Sequence, residues 1–194
     1  MKFFFFFLFL GIPFFGFLQI NPKEINQLAI QKVQQNQYQE ALDLYDCYVE
    51  LLPIDSAAYF DRGLVKEFMR DYRGAVADYS MQISINKECV DCYFLRGILL
   101  LKELKDFNGA LEDFTQTLSL EESNADAHFY KGNIYQIYGE NKKALKEYSE
   151  AINYNPNLAE YYLKRSEIYV ILKKLVLSNK DKKTYNNLLI NKID

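Results

Sequence analysis

Tyr59-Phe60-Asp61-Arg62-Gly63, Tyr93-Phe94-Leu95-Arg96-Gly97 and Phe129-Tyr130-Lys131-Gly132 are versions of one phrase, and their glycines stand 34 and then 35 residues apart. A second phrase keeps the same step. Ala41-Leu42-Asp43-Leu44-Tyr45, Ala75-Val76-Ala77-Asp78-Tyr79, Ala110-Leu111-Glu112-Asp113-Phe114 and Ala144-Leu145-Lys146-Glu147-Tyr148 follow one another at 34, 35 and 34 residues, so one extra residue lies between Gly97 and Ala110. Self-similarity at this period is the signature of a repeat array. Within each period, aromatic and small residues recur at three- and four-residue steps over two stretches of helical length, which predicts two helices per repeat. Asp71, Gly139 and Asn141 fall where the turns inside repeats are expected, and Pro53 and Pro156 fall after second helices, which proline cannot continue. Gly63 and Ala75 are expected where paired helices approach most closely, with Tyr59, Tyr72 and Tyr79 around them.

This pattern resembles the tetratricopeptide repeat. In family order the second repeat offers Tyr59, Gly63, Lys66, Tyr72, Ala75, Tyr79 and Gln82, and the fourth offers His128, Gly132, Tyr135, Asn141, Ala144, Tyr148, Ala151 and Pro156. The first is weaker in its opening helix, with Ile25, Leu28, Ala29 and Lys32, but its second helix carries Tyr38, Ala41, Tyr45, Tyr48 and Pro53. The fifth opens with Tyr162, Ser166 and Tyr169 and then departs, since Ser178 replaces the alanine and Lys182 the aromatic. A last helix has no neighbour on its outer side, so Lys180, Lys182 and Lys183 fit a polar cap. The resemblance implies an all-α, right-handed alpha-solenoid of helix-turn-helix repeats over residues 22–194. The repeats would be 22–55, 56–89, 90–124, 125–158 and 159–194, preceded by a hydrophobic segment at 1–20.

Two columns change together. Three residues after the first aromatic stand Leu28, Arg62, Arg96, Lys131 and Arg165, and three after the alanine position stand Leu44, Asp78, Asp113, Glu147 and Asp181. Apolar meets apolar once and base meets acid four times, so a ladder of ion pairs between paired helices is expected. As exposed pairs they would contribute about 0.2–1 kcal/mol each and serve register more than stability.

The chain has 194 residues and a formal charge of -3, with Lys and Arg spread along it, so nucleic-acid binding has no electrostatic footprint. Three cysteines, Cys47, Cys89 and Cys92, argue against a disulfide framework and for a reduced state. Cys89 and Cys92 form a C-x-x-C, but no second pair accompanies it, and His128, the one histidine, stands at a packing position. No metal site or cofactor is expected. Without a glycine-rich phosphate loop, an H-E-x-x-H or a G-x-S-x-G, no catalytic residue is assigned and enzyme activity is not expected.

Phe3 to Leu18 are apolar except for Gly11, Pro13 and Gly16. This has the form of a targeting or anchoring segment. Small residues are missing where a signal peptidase would cut, which favours a membrane anchor with cytosol-facing repeats; a cleaved secretory signal, giving a secreted or lumenal protein, and a misassigned start are the alternatives. The segment lies at the short limit of a membrane span. The absence of Asn-x-Ser/Thr sequons fits the cytosolic placement.

Function must then come from shape. The resemblance implies a scaffold whose first helices line a concave groove, with Phe60, Leu64, Phe94, Ile98, Phe129, Asn133, Leu163 and Glu167 facing a protein or peptide partner. The three phenylalanines are either packing between repeats or anchors for an extended or helical peptide. Asp61, Asp91, Asp126 and Glu160 would border the groove and favour a basic ligand. One subfamily binds acidic chaperone carboxyl-terminal tails through Lys, Asn and Arg on first helices; here Phe60, Asp61, Asp91 and Leu95 stand at those places, so no such binding is expected.

Overall fold

The computed structural model describes residues 21–190. The expectations placed on residues 1–20 lie outside them. The described residues are all-α and form tandem hairpins that divide into two compact units between Asn86 and Lys87. The first unit holds α1 (Pro22–Gln34), α2 (Tyr38–Leu51), α3 (Ser56–Phe68) and α4 (Tyr72–Ile85). The second holds α5 (Val90–Leu99), a π-helical turn (Leu100–Leu104), α6 (Phe107–Leu120), α7 (Ala125–Ile137), α8 (Asn141–Tyr154), α9 (Ala159–Ile171) and α10 (Leu175–Ile190). Asn141 opens α8 rather than lying in the turn before it.

Each turn inside a repeat is closed in the same way. One residue takes the left-handed conformation, namely Asn36, Arg70, Lys105, Gly139 and Lys173 in order, and ends the first helix. The next residue sends its N–H back to a carbonyl five residues earlier: Asp71 to Lys66, Glu140 to Tyr135 and Lys174 to Tyr169. In the third repeat this bond spans six residues, Asp106 to Leu100. The extra residue of that repeat is therefore taken up in the π turn, a single-residue widening of the helix. Two second helices, α4 and α6, then start on carboxylate caps, with Asp71 Oδ1 accepting from Gly74 N and Asp106 Oδ1 from Gly109 N, each at 3.0 Å.

The alanine column, Ala41, Ala75, Ala110 and Ala144, is wholly buried, as are the aromatics four residues later, Tyr45, Tyr79, Phe114 and Tyr148. These rings press on the small residues of the partner helix. A Cβ on Gly63 would lie 2.8 Å from Tyr79 Cε1, one on Gly97 3.0 Å from Phe114 Cε1, and one on Gly132 2.7 Å from Tyr148 Cε1. In these three repeats glycine makes room for the ring, whereas in the first repeat the wholly buried Ala29 shares a core cluster with Tyr45. In the second unit the core runs from Phe114, Ala127 and Ile134 to Phe129, Tyr148, Ala151, Tyr161 and Ile168.

The four ion pairs form as the two columns require. Arg62 grips Asp78 through two bonds of 2.9 and 2.6 Å, Arg96 grips Asp113 at 2.9 and 2.6 Å, and Arg165 grips Asp181 at 2.7 and 2.8 Å. Lys131 lies 3.4 Å from Glu147. The expectation of exposed pairs needs correction, because all four carboxylates are buried. Packing between paired helices removes water from the acids while the bases reach in from the rim. Such a pair adds little net stability, but breaking it leaves a buried charge, at a cost of about 3–5 kcal/mol.

The cysteine reading also needs correction. Cys89 and Cys92 are joined in a disulfide, and Cys47 alone is free. The helix start brings the two Cα atoms to 5.3 Å, within disulfide reach, and an odd total does not prevent one local bridge.

Candidate functional site

In the first unit, Phe60 and Leu64 are half-buried on α3, and the Phe60 ring lies 5.8 Å from that of Tyr79. Asp61 stands beside them, and burial, with Asp55 nearby, pushes its carboxyl above the usual range. In the second unit the equivalent places on α5, α7 and α9 hold Phe94 and Ile98, Phe129 and Asn133, and Leu163 and Glu167.

These six are not alike. Phe129 is 4% exposed and its ring lies 5.8 Å from Tyr148 and 5.0 Å from Tyr161, so it is committed to the core. Phe94 is half-buried against Phe114 and Tyr130, and Ile98 packs on the same cluster. Tyr130 joins the two phenylalanines, at 6.1 Å from Phe94 and 5.4 Å from Phe129, and the Lys102 ammonium sits 4.8 Å over its ring. Toward α9 the surface becomes polar. The Tyr148 hydroxyl lies 2.7 Å from the side-chain amide oxygens of both Asn133 and Gln136, Gln136 Nε2 donates to Glu167 at 3.3 Å, and Lys164 Nζ lies 3.1 Å from the same carboxylate. Of the acidic border, Asp126 is tied to the Tyr161 hydroxyl, while Asp91 and Glu160 are exposed.

Tyr130, Lys102 and Gln136 were not singled out from sequence. A signal for Gln136 does exist. Four residues after the small residue stand Glu67, Leu101 and Gln136; Glu67 takes the Tyr79 hydroxyl at 3.1 Å, Gln136 contacts that of Tyr148, and Leu101 accompanies Phe114, which has no hydroxyl.

The chemical groups are otherwise occupied. His128 Nδ1 lies 2.7 Å from Glu147 Oε2, its Nε2 lies 3.2 Å from the Glu122 carbonyl oxygen, and its ring stacks on Tyr154. Burial pushes the Glu147 carboxyl up, but the His128 hydrogen bond and the Lys131 charge outweigh it and hold the group below the usual carboxylate range. Burial raises the Cys47 thiol, which keeps it protonated and weakly nucleophilic. An open depression of about 440 Å³ lined by Tyr93, Arg96, Asp113 and Tyr135 holds none of the expected groove residues, and Arg96 in it is committed to Asp113. Among the described residues there is no cluster of three metal-ligating side chains.

A family model described as tetratricopeptide repeat matches residues 125–158, which are α7, α8 and their flanks. No curated protein matches the chain. Among solved structures, "MamA RS-1 ArsTM double mutant" is similar with a TM-score of 0.82 at 16% identity, covering 88% of this chain and 96% of its own. MamA from Desulfovibrio magneticus RS-1, residues 41 to the end, gives 0.80 at 16% identity, with 88% and 96% covered. YrrB, described as a protein of this repeat type with an unusual peptide-binding site, gives 0.75 at 20% identity, with 87% and 86% covered. At these identities the likeness is one of fold.

Proposed function

From the premise that this chain is a tetratricopeptide-repeat protein, and so built as a scaffold for protein interaction, we propose that it is a non-enzymatic adaptor whose first helices take a peptide. Phe60 and Leu64 serve in the first unit, and Phe94, Ile98, Phe129, Asn133, Leu163 and Glu167 serve in the second, where Phe129 supports the surface from below. The observation that carries this reading is the juxtaposition on α5, α7 and α9 of a half-buried aromatic patch, Phe94 with Tyr130, and a fixed polar set, Asn133, Gln136 and Glu167. Aromatics that offer large area at low entropy, beside polar groups already oriented, suit a peptide anchor flanked by hydrogen bonds. YrrB carries a peptide-binding site on the same fold, which supports the class of ligand. Exposed Asp91 and Glu160 favour a basic peptide over an acidic chaperone tail.

The test is affinity capture with the full chain and with a Phe94→Ala, Leu163→Ala, Glu167→Ala variant. The proposal expects the variant to keep its helical circular dichroism and lose the wild-type preys; retention of every prey overturns it. Phe129→Ala is the wrong probe, since deleting a buried ring costs about 3–5 kcal/mol and confuses folding with binding.

For placement, we propose that residues 1–20 hold the protein at a membrane, with the repeats facing the cytosol. A second reading, a secreted or lumenal protein, is favoured by the Cys89–Cys92 disulfide, a bond that persists in oxidising compartments. The mass of the mature chain separates the two. Loss of Met1 to Gln19 supports the second reading, and an intact amino terminus supports the anchor.

A further inference from the structure

The turns inside repeats follow a polar rule that the last one breaks. At the position before the second helix stand Gln37, Asp71, Asp106, Glu140 and then Lys174, and two residues further stand Gln39, Arg73, Asn108, Lys142 and then Val176. Apolar residues are exposed at other turns too, such as Phe68 before α4 and Ile137 before α8, but each of these is followed by an acid and a polar helix start. At the α9–α10 turn both sides are apolar. Val170 and Ile171 end α9, and Leu175, Val176 and Leu177 begin α10; all five are exposed, Leu175 at 60% and Val176 at 83%.

The charge around this tip has one sign. Lys173, Lys174, Lys180, Lys182 and Lys183 are exposed, and none forms an ion pair among the described residues. The one acid between them, Asp181, is buried and held by Arg165, so it offsets none of this charge at the surface. Two of the lysines are also well aimed. Val176, Lys180 and Lys183 follow one another at four and three residues and so share a face of α10. Lys180 stands about 6 Å along the axis from Val176, and helical side chains lean toward the amino-terminal end, which brings its ammonium back toward the apolar tip.

We infer that the α9–α10 tip is a contact site for an anionic lipid bilayer. The apolar side chains of Leu175, Val176 and their neighbours enter the boundary between headgroups and acyl chains, while the lysines stay at headgroup level over their own aliphatic stems. The contact is interfacial, since no helix among the described residues is long and apolar enough to cross a membrane. An exposed apolar turn with unbalanced positive charge fits a broad negative surface better than it fits a peptide. None of these tip residues is among those proposed for the peptide surface.

The experiment is flotation of the full chain with vesicles of phosphatidylcholine alone or containing phosphatidylserine. Residues 1–20 are common to every arm, so the readout is the difference between lipids and between variants. The wild type should prefer the phosphatidylserine vesicles at low salt. Lys173→Gln, Lys174→Gln and Lys180→Gln should each lower partition into them about fivefold, and Val176→Asp should lower it further. These side chains point into solvent, so the variants should keep the wild-type melting curve. Equal binding to both lipids, or variants that float like the wild type, overturns the proposal. So does sedimentation showing that the chain self-associates without lipid through Val176 while vesicle binding is unchanged, since the tip would then serve a second copy.

Discussion

In the α7–α8 hairpin Gly132 lies under the Tyr148 ring, whereas in the α9–α10 hairpin the same two places hold Ser166 and Lys182. The two hairpins belong to one unit, yet the first matches the family model, while the second has serine in place of the glycine and has lost its aromatic and its alanine. What both keep is a base on the first helix bound to a buried acid on the second: Lys131 with Glu147, and Arg165 with Asp181. The loss is also coordinated. With Lys182 in place of the ring, the first helix carries a wholly buried serine where α7 has glycine. The comparison separates two devices, a ring over a glycine that fills space and an ion pair that fixes register, and the second persists without the first.

The largest test addresses the ion pair. Asp181 has Arg165 as its one ionic partner among the described residues, whereas Asp78 in the first unit has both Arg62 and Lys66, the latter at 2.8 Å. Arg165→Met should therefore destabilise the chain by about 3–5 kcal/mol in urea unfolding, and Arg62→Met by clearly less. Equal losses would remove the pair from its role in holding the last hairpin. The next test concerns space. Gly132→Val should cost about 1–3 kcal/mol by overpacking against the buried Tyr148 ring. Ser166→Ala, which removes only a hydroxyl bonded to the Leu163 carbonyl, should cost about 1 kcal/mol or less. If the two costs are the same, the glycine is not there for the ring.

The smallest effect is one of pH. Glu147 titrates below the ordinary carboxylate range in the folded chain, so it binds fewer protons there than in the unfolded chain. Its stabilising share is therefore complete above about pH 4.3, the ordinary value for a glutamate. It is lost as pH falls from there through the folded value. Glu147→Gln should flatten that part of the stability profile in acid denaturation, and an unchanged slope would contradict the assignment.

The helices and the ion-pair ladder were legible because each rests on residues that recur in register. The Arg96–Asp113 contact, for example, could be inferred from a column in which leucine pairs with leucine and base with acid. Burial was not legible in the same way. Asp113 and Asp181 look like surface acids in a list, and only the packed neighbour shows that water is excluded. The groove positions were read by repeat number, which treats Phe60, Phe94 and Phe129 alike, yet Phe129 is enclosed by Tyr148 and Tyr161 from two other helices. Lys102 could not be foreseen as a partner of Tyr130, because the π turn changes where residues 100–104 point. The Cys89–Cys92 bridge was missed by counting thiols across the chain instead of asking how near a helix start brings two of them.

The π turn at Leu100–Leu104 has a further implication for how such a chain can change over time. It confines a length difference to a few residues and returns α6 to the phase of its counterparts, with Ala110 and Phe114 as deeply enclosed as Ala144 and Tyr148. The one extra residue at this point leaves the buried positions of α6 in register. Duplicated segments can thus drift in length by single codons and still stack, and alignment by a rigid 34-residue ruler will understate how many segments share an ancestor.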